Sequence, residues 1–123
     1  MRLAETYFAV DHLWVVISLP GDDGSVVIVN FTSWRAGCDE NCVIETGEHK
    51  FVTHKTVVAY EKARLVSAQN QAALAKISVG RWDPVSPALL ARIQAGALSS
   101  DLTQQKLQKA VEASMAKQAK EPV

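Results

Sequence analysis

Short runs of apolar and β-branched residues dominate the first half of the chain, a pattern typical of strands. The first three runs are Glu5–Val10 (ETYFAV), Leu13–Leu19 (LWVVISL) and Val26–Phe31 (VVIVNF). The segment Pro20–Ser25 (PGDDGS) separates the second run from the third. Proline and glycine end a strand and aspartate favours tight turns, so these two runs are expected to form a hairpin.

The chain is organised around the next segment, Cys42–Tyr60 (CVIETGEHKFVTHKTVVAY), which carries two of the three histidines, His49 and His54. Its apolar pairs and triplets predict short strands separated by a turn at 46–48. The alternating residues Glu61–Val66 predict one more strand. The segment therefore brings the main concentration of near-neutral titrating groups into the predicted sheet.

The pattern becomes helical after Ser67. Gln69–Ile77 is rich in Ala and Leu and predicts a short helix. Ser86 followed by Pro87 is a strong helix start, with Gly96 as the expected C-cap. Ser99 or Ser100 is expected to cap a last helix, and the tail from Lys117 is expected to fray. The apolar positions that predict this last helix are Leu107, Ala110, Val111 and Met115.

These elements predict a mainly β fold with C-terminal helices: a small barrel covered by two or three helices. At 123 residues the chain is expected to form one domain. Residues 1–80 would form the barrel with a short helix, 81–118 a helical extension packed on it, and 119–123 a frayed tail.

The composition narrows the functional classes. No apolar run approaches the roughly 20 residues that cross a bilayer, and residues 1–5 lack the apolar core of a signal peptide. No membrane partner and a cytoplasmic location are therefore predicted. The formal net charge is zero, which argues against a strongly basic nucleic-acid-binding protein. Residues 1–60 nevertheless carry four Lys or Arg against eight Asp or Glu, and residues 61–123 carry nine against five.

The order of the elements resembles the MazF/PemK-like toxin family. The similarity covers roughly residues 5–80 and is carried by His12–Ser18 (HLWVVIS), Val26–Ser33 (VVIVNFTS), Thr56–Val66 (TVVAYEKARLV) and the Ile77-Ser78 pair. The resemblance implies an SH3-like barrel, usually a homodimer, that cuts single-stranded RNA without a metal or other cofactor. It also implies an antitoxin protein that blocks the RNA groove.

Two positions carry over from the family pattern. The Thr-Ser pair that closes a family strand falls on Thr32 and Ser33. The family arginine, which is implied to stabilise the phosphate transition state, falls on His12. The departure at His12 makes the chain a divergent member of the pattern and puts its cleavage activity in question. The helical extension from Ser86 onward is also outside the usual family pattern.

Cleaving RNA without a metal requires a base for the 2′-hydroxyl, an acid for the leaving 5′-oxygen and a cation or donor for the phosphate. Histidine suits the first two roles because its pKa lies near neutral pH. The sequence-based hypothesis assigns catalysis to His12, His49, His54, Thr32 and Ser33, and substrate binding to Trp34, Arg35, Lys50 and Lys55. An exposed tryptophan beside a groove can stack on a base of a single strand.

Other interpretations stay open. His49 and His54 suit structural or surface roles equally well, and the hydroxyls of Thr32 and Ser33 could cap a turn. Cys38 and Cys42 are expected to be reduced thiols, although with His49 and His54 they form a possible metal set of uncommon spacing. A non-catalytic module that binds protein or nucleic acid on the same barrel is the alternative function.

Overall fold

The computed structural model describes residues 1–80 and 82–120. Five antiparallel strands form one curled half-barrel sheet in the order β1-β2-β3-β5-β4, and three helices follow. The elements are β1 (Thr6–Ala9), β2 (His12–Val16), β3 (Val26–Ser33), β4 (Val43–Ile44), β5 (Thr56–Val66), α1 (Ala68–Ile77), α2 (Pro87–Ser99) and α3 (Gln105–Lys120). The predicted mainly β fold with C-terminal helices is confirmed, whereas the SH3-like family identity stays a prediction.

The sheet has two covered faces, because successive side chains of a strand point to opposite sides. Leu13, Val15 and Val29 lie on one side, which we call the main-core face. This face packs against α2 and α3, whose buried residues include Leu89, Ile93, Ala97, Leu107 and Val111. Trp14 and Ile28 lie on the opposite side, the α1 face, where Leu74 of α1 packs against them.

Strand β5 replaces two strands expected from the sequence. The sequence predicts separate strands around 57–60 and 61–66, but Thr56–Val66 is continuous. A bulge between the pairs Asn30↔Ala59 and Ile28↔Arg64 interrupts its register with β3. The expected strand at Phe51 is wrong, because residues 50–52 form a turn and irregular backbone.

Two of the three helix starts follow the sequence. The expected N-cap of the last helix at Ser99 or Ser100 is wrong, because α3 begins at Gln105 and Ser100 is the C-cap of α2. Ser86 caps α2 as predicted, since its hydroxyl accepts a hydrogen bond from the Leu89 N–H at 3.1 Å. The expected C-cap at Gly96 is wrong, because α2 continues to Ser99. The expected fraying from Lys117 is also wrong, because α3 continues to Lys120. Residues 121–123 of the expected tail lie outside the described residues.

Among the helices of the described part, none combines the length and the apolarity that crossing a membrane requires.

Candidate functional site

The ends of β3 and β5 bring a serine and a histidine together. Ser33, the last residue of β3, pairs with Thr56, the first residue of β5. His54 lies just before β5, and its Nε2 atom is 2.7 Å from Ser33 Oγ. Thr53 Oγ1 lies 3.4 Å from the other ring nitrogen, Nδ1. Ser33, Thr53 and His54 are exposed, so the Ser33–His54 hydrogen bond is accessible from solvent.

An aromatic ring and a cation lie beside this pair in the sequence. The backbone N–H of Trp34 donates a hydrogen bond to the backbone carbonyl of Lys55 at 3.0 Å, which holds the two residues side by side. The Lys55 ammonium lies 4.6 Å from the centroid of the Trp34 ring, a cation–π contact. The Trp34 indole N–H donates to Glu40 Oε2 at 3.0 Å, and the side chain is still 38% exposed. We call Ser33, Trp34, His54 and Lys55 the strand-end site.

His49 does not belong to this site. Its ring is buried, Nδ1 accepts a hydrogen bond from the Phe51 N–H at 3.1 Å, and Nε2 donates to the Asp83 carbonyl at 2.7 Å. The Phe31 ring packs against it edge to face, with 6.5 Å between ring centroids. Because both ring nitrogens are used within the fold, this geometry favours the structural interpretation of His49 over a role in proton transfer.

His12 and Thr32 lie on the opposite side of the sheet from Ser33. His12 pairs with Ala9, which belongs to the α1-face cluster. Phe31 belongs to the main core, so the alternation of β3 places Thr32 on the α1 face and Ser33 on the main-core face. The structure therefore brings Ser33 and His54 together. The three histidines, in contrast, do not lie together on one face of the sheet.

The remaining expected binding residues differ in how their charges are used. The Lys50 ammonium forms an exposed ion pair with the Asp83 carboxylate at 3.1 Å, so part of its charge is compensated. Arg35 is exposed in the connection after β3 and forms no ion pair with the described residues. Lys55 and Arg35 are thus the cations that the strand-end region can offer to a phosphate.

The two cysteines do not form a metal site with the histidines. Cys38 is half-buried, Cys42 is buried, and both are free thiols. Burial raises the pKa of the Cys42 thiol, which keeps it protonated. Among residues 1–80 and 82–120, no group of three or more Cys, His, Asp or Glu side chains is placed to hold a metal ion. The alternative set of two cysteines and two histidines is therefore not assembled.

Two contributors to the site are absent from the sequence-based hypothesis. Thr53 contacts the second nitrogen of His54, and Glu40 holds the indole of Trp34. Threonine beside histidine and glutamate in a polar connection carry no special sequence signal, so only the folded arrangement identifies them.

Comparison of the chain with protein-family models and with curated proteins gives no match in either case. The resemblance to the MazF/PemK-like family therefore stays a prediction, and a functional assignment has to rest on the strand-end site itself.

Proposed function

We propose that the strand-end site binds single-stranded RNA and cleaves it without a metal ion. The observation that supports this proposal is the solvent-accessible hydrogen bond of 2.7 Å between Ser33 Oγ and His54 Nε2. A general base has to lie within hydrogen-bond reach of the hydroxyl that it deprotonates. In the free protein, Ser33 Oγ occupies the kind of position that a substrate hydroxyl would take.

In this mechanism His54 is the general base. Its unprotonated Nε2 takes the proton of the ribose 2′-hydroxyl after Ser33 has rotated away from it. The 2′-oxygen then attacks the phosphorus, the bond from phosphorus to the 5′-oxygen breaks, and the leaving 5′-oxygen takes a proton from water. The products are a 2′,3′-cyclic phosphate and a 5′-hydroxyl. Ser33 is a positioning residue that holds the imidazole ring before the substrate binds.

Trp34 and Lys55 suit the binding of a single strand. A base stacked on an exposed aromatic ring contributes roughly 1–3 kcal/mol to binding, and the Trp34 ring is accessible at the site. Lys55 supplies positive charge for the phosphate next to that base, and Arg35 supplies a second cation in the following connection. These two cations offset locally the acidic balance of residues 1–60.

The test is cleavage of a mixture of single-stranded RNAs in EDTA by the wild-type chain and by His54→Ala. General acid–base groups contribute about 10²–10⁴-fold, so we expect His54→Ala to reduce the cleavage rate at least about a hundredfold. Thermal unfolding of the variant controls for loss of structure. Cleavage by a folded His54→Ala variant at the wild-type rate would remove His54 from the mechanism.

His12→Ala is the matched histidine variant. The sequence-based hypothesis expects it to lose activity, whereas the strand-end site expects cleavage within about twofold of wild type, because His12 lies on the α1 face. Loss of cleavage by a folded His12→Ala variant would therefore favour a site that includes His12 over the strand-end site.

A non-catalytic RNA-binding module is the second candidate. It is favoured by one observation: the strand-end site contains a single imidazole, since both ring nitrogens of His49 are used within the fold and His12 lies on the α1 face. Retention of RNA without any product, together with weaker retention by Trp34→Ala, would support this module. The antitoxin partner and the homodimer implied by the family resemblance stay predictions.

A further inference from the structure

A groove on the α1 face is separate from the strand-end site. Its volume is about 260 Å³. Trp14 and Ile28 form its floor, Leu74 of α1 forms one wall, and the end of β5 at Arg64 and Leu65 forms the other. The surface is mainly apolar and open, since Val10 at its rim is exposed. Exposed apolar surface of this kind, next to polar residues, often marks an interaction site.

Arg64 gives the groove a cation that the fold leaves unpaired. Its guanidinium carbon lies 5.6 Å from the centroid of the Trp14 ring, so the indole holds the head group over the groove. The ion pairs of the described residues are Lys50–Asp83 and Arg92–Glu48, and Arg64 takes part in neither. A planar guanidinium held in this way can bind a carboxylate through two parallel hydrogen bonds.

Val10, at the rim of the groove, adds an exposed apolar side chain to this surface. Its φ angle of +51° is unfavourable for a β-branched residue. The angle is imposed by the two-residue turn between Ala9 and His12, where Asp11 also has positive φ. The Val10 side chain is also 73% exposed, so it gains little burial in exchange for this strain. Val10 therefore offers a partner an exposed apolar contact at the rim of the groove.

The size of the groove indicates which kind of partner it fits. Sites for small molecules usually enclose about 300–1,000 Å³ and bury most of the ligand. A shallower space of about 260 Å³ fits one anchoring side chain of a larger molecule. The unpaired cation of Arg64 complements a negative charge close to that anchor.

We infer that this groove docks an acidic segment of a partner protein, with an apolar side chain packed against Val10 and Leu74 and a carboxylate bound to Arg64. The inference does not depend on RNA cleavage, because the groove lies on the α1 face and Ser33 lies on the main-core face. The partner segment that fits this groove carries an apolar residue followed closely by Asp or Glu.

The experiment is a titration of the ¹⁵N-labelled full chain, followed by nuclear magnetic resonance. The probes are three acetylated and amidated peptides, Leu-Glu, Leu-Ser-Glu and Leu-Ser-Ser-Glu, each at millimolar concentration and each with a glutamine version as its control. We expect at least one acidic peptide to shift the indole N–H resonance of Trp14 and the amide resonances near Leu65. The matching glutamine peptide should bind at least about tenfold more weakly.

Two variants separate docking from general structural effects. Arg64→Gln should weaken the acidic peptide at least about tenfold, whereas Arg35→Gln, on the connection after β3, should leave its affinity within about twofold. Val10→Asn should unfold at a higher temperature than wild type, because Asn tolerates positive φ, and should still bind the peptide more weakly.

Three results would overturn the inference. The first is the absence of any peptide-dependent shift, and the second is equal binding of the glutamine peptides. The third is a shift of the same resonances on raising the protein concentration without peptide, which would identify a second copy of the chain as the occupant.

Discussion

Gly96 lies inside α2, and replacing it with alanine tests the closest packing in the fold. A Cβ atom at this position would lie 2.9 Å from Tyr60 Cζ, closer still to Tyr60 Oη, and 3.1 Å from the Asn41 carbonyl oxygen. Tyr60 cannot move easily, because its ring is buried in the main core and its hydroxyl donates to the Ile93 carbonyl at 2.7 Å. The added methyl group therefore has to displace either the ring or the helix.

Three terms set the expected change in the free energy of unfolding. Overpacking a core costs about 1–3 kcal/mol, and losing the hydrogen bond from Tyr60 to Ile93 costs about 0.5–1.5 kcal/mol. The higher helix propensity of alanine stabilises the helix by about 1 kcal/mol. We therefore expect Gly96→Ala to destabilise the protein by about 2 kcal/mol, although the same exchange at an exposed helical position would stabilise it.

Urea unfolding of four chains measures this effect. The wild type, Gly96→Ala, Tyr60→Phe and the double variant form a cycle. Since Tyr60→Phe removes the nearest atom, Gly96→Ala should cost at least about 1 kcal/mol less in the Tyr60→Phe background, within the usual range for residues in contact. The exposed neighbour provides the control: Ala95→Gly should destabilise by about 1 kcal/mol. A Gly96→Ala variant as stable as wild type would refute the close packing of α2 on Tyr60.

The remaining predictions concern the thiols and the behaviour in acid. Half-buried Cys38 should react with a thiol reagent in the folded chain, whereas buried Cys42, whose pKa is raised by burial, should react only in denaturant; equal rates would contradict this difference. Burial tends to raise the pKa of the Asp39 carboxyl, but hydrogen bonds from Ser100 and Asn41 outweigh burial and lower it. This carboxylate therefore stabilises the fold above the unfolded pKa of about 4, and the contribution disappears as pH falls through the lower folded value. Urea unfolding from about pH 5 to about pH 2 should show a smaller loss of stability for Asp39→Asn than for wild type, and equal losses would contradict the assignment.

Local sequence patterns were sufficient to predict the turns and helix starts that neighbouring residues determine. The apolar runs on both sides of Pro20–Ser25 predict the hairpin of β2 and β3, and the Ser86-Pro87 pair predicts the start of α2. Gly96 shows the limit of this reasoning. A glycine near a helix end suits a C-cap and a close contact equally well, and only the position of Tyr60 on another element decides between them.

The candidate site was predictable in its residue types but not in its grouping. Ser33 and His54 both stand out in the sequence, yet they are 21 residues apart, and their contact depends on the register of β3 and β5. The separation of Thr32 from Ser33 was accessible in principle, because neighbouring residues of a strand face opposite sides. Applying that alternation places only one of the two hydroxyls with His54.

The bulge in β5 determines where the strand-end site and the groove on the α1 face lie. Between the pairs Val26↔Val66 and Ser33↔Thr56, β3 advances seven residues while β5 advances ten. A regular ladder starting from Val66 would pair Ser33 with Ala59, which would move His54 three residues, or about 10 Å, further along the sheet. The same insertion lets Tyr60 face the main core and Arg64 face Trp14, although four residues apart they would share one face of a regular strand. The positions of the strand-end site and of the groove on the α1 face are thus two consequences of one irregularity in the pairing of β3 and β5.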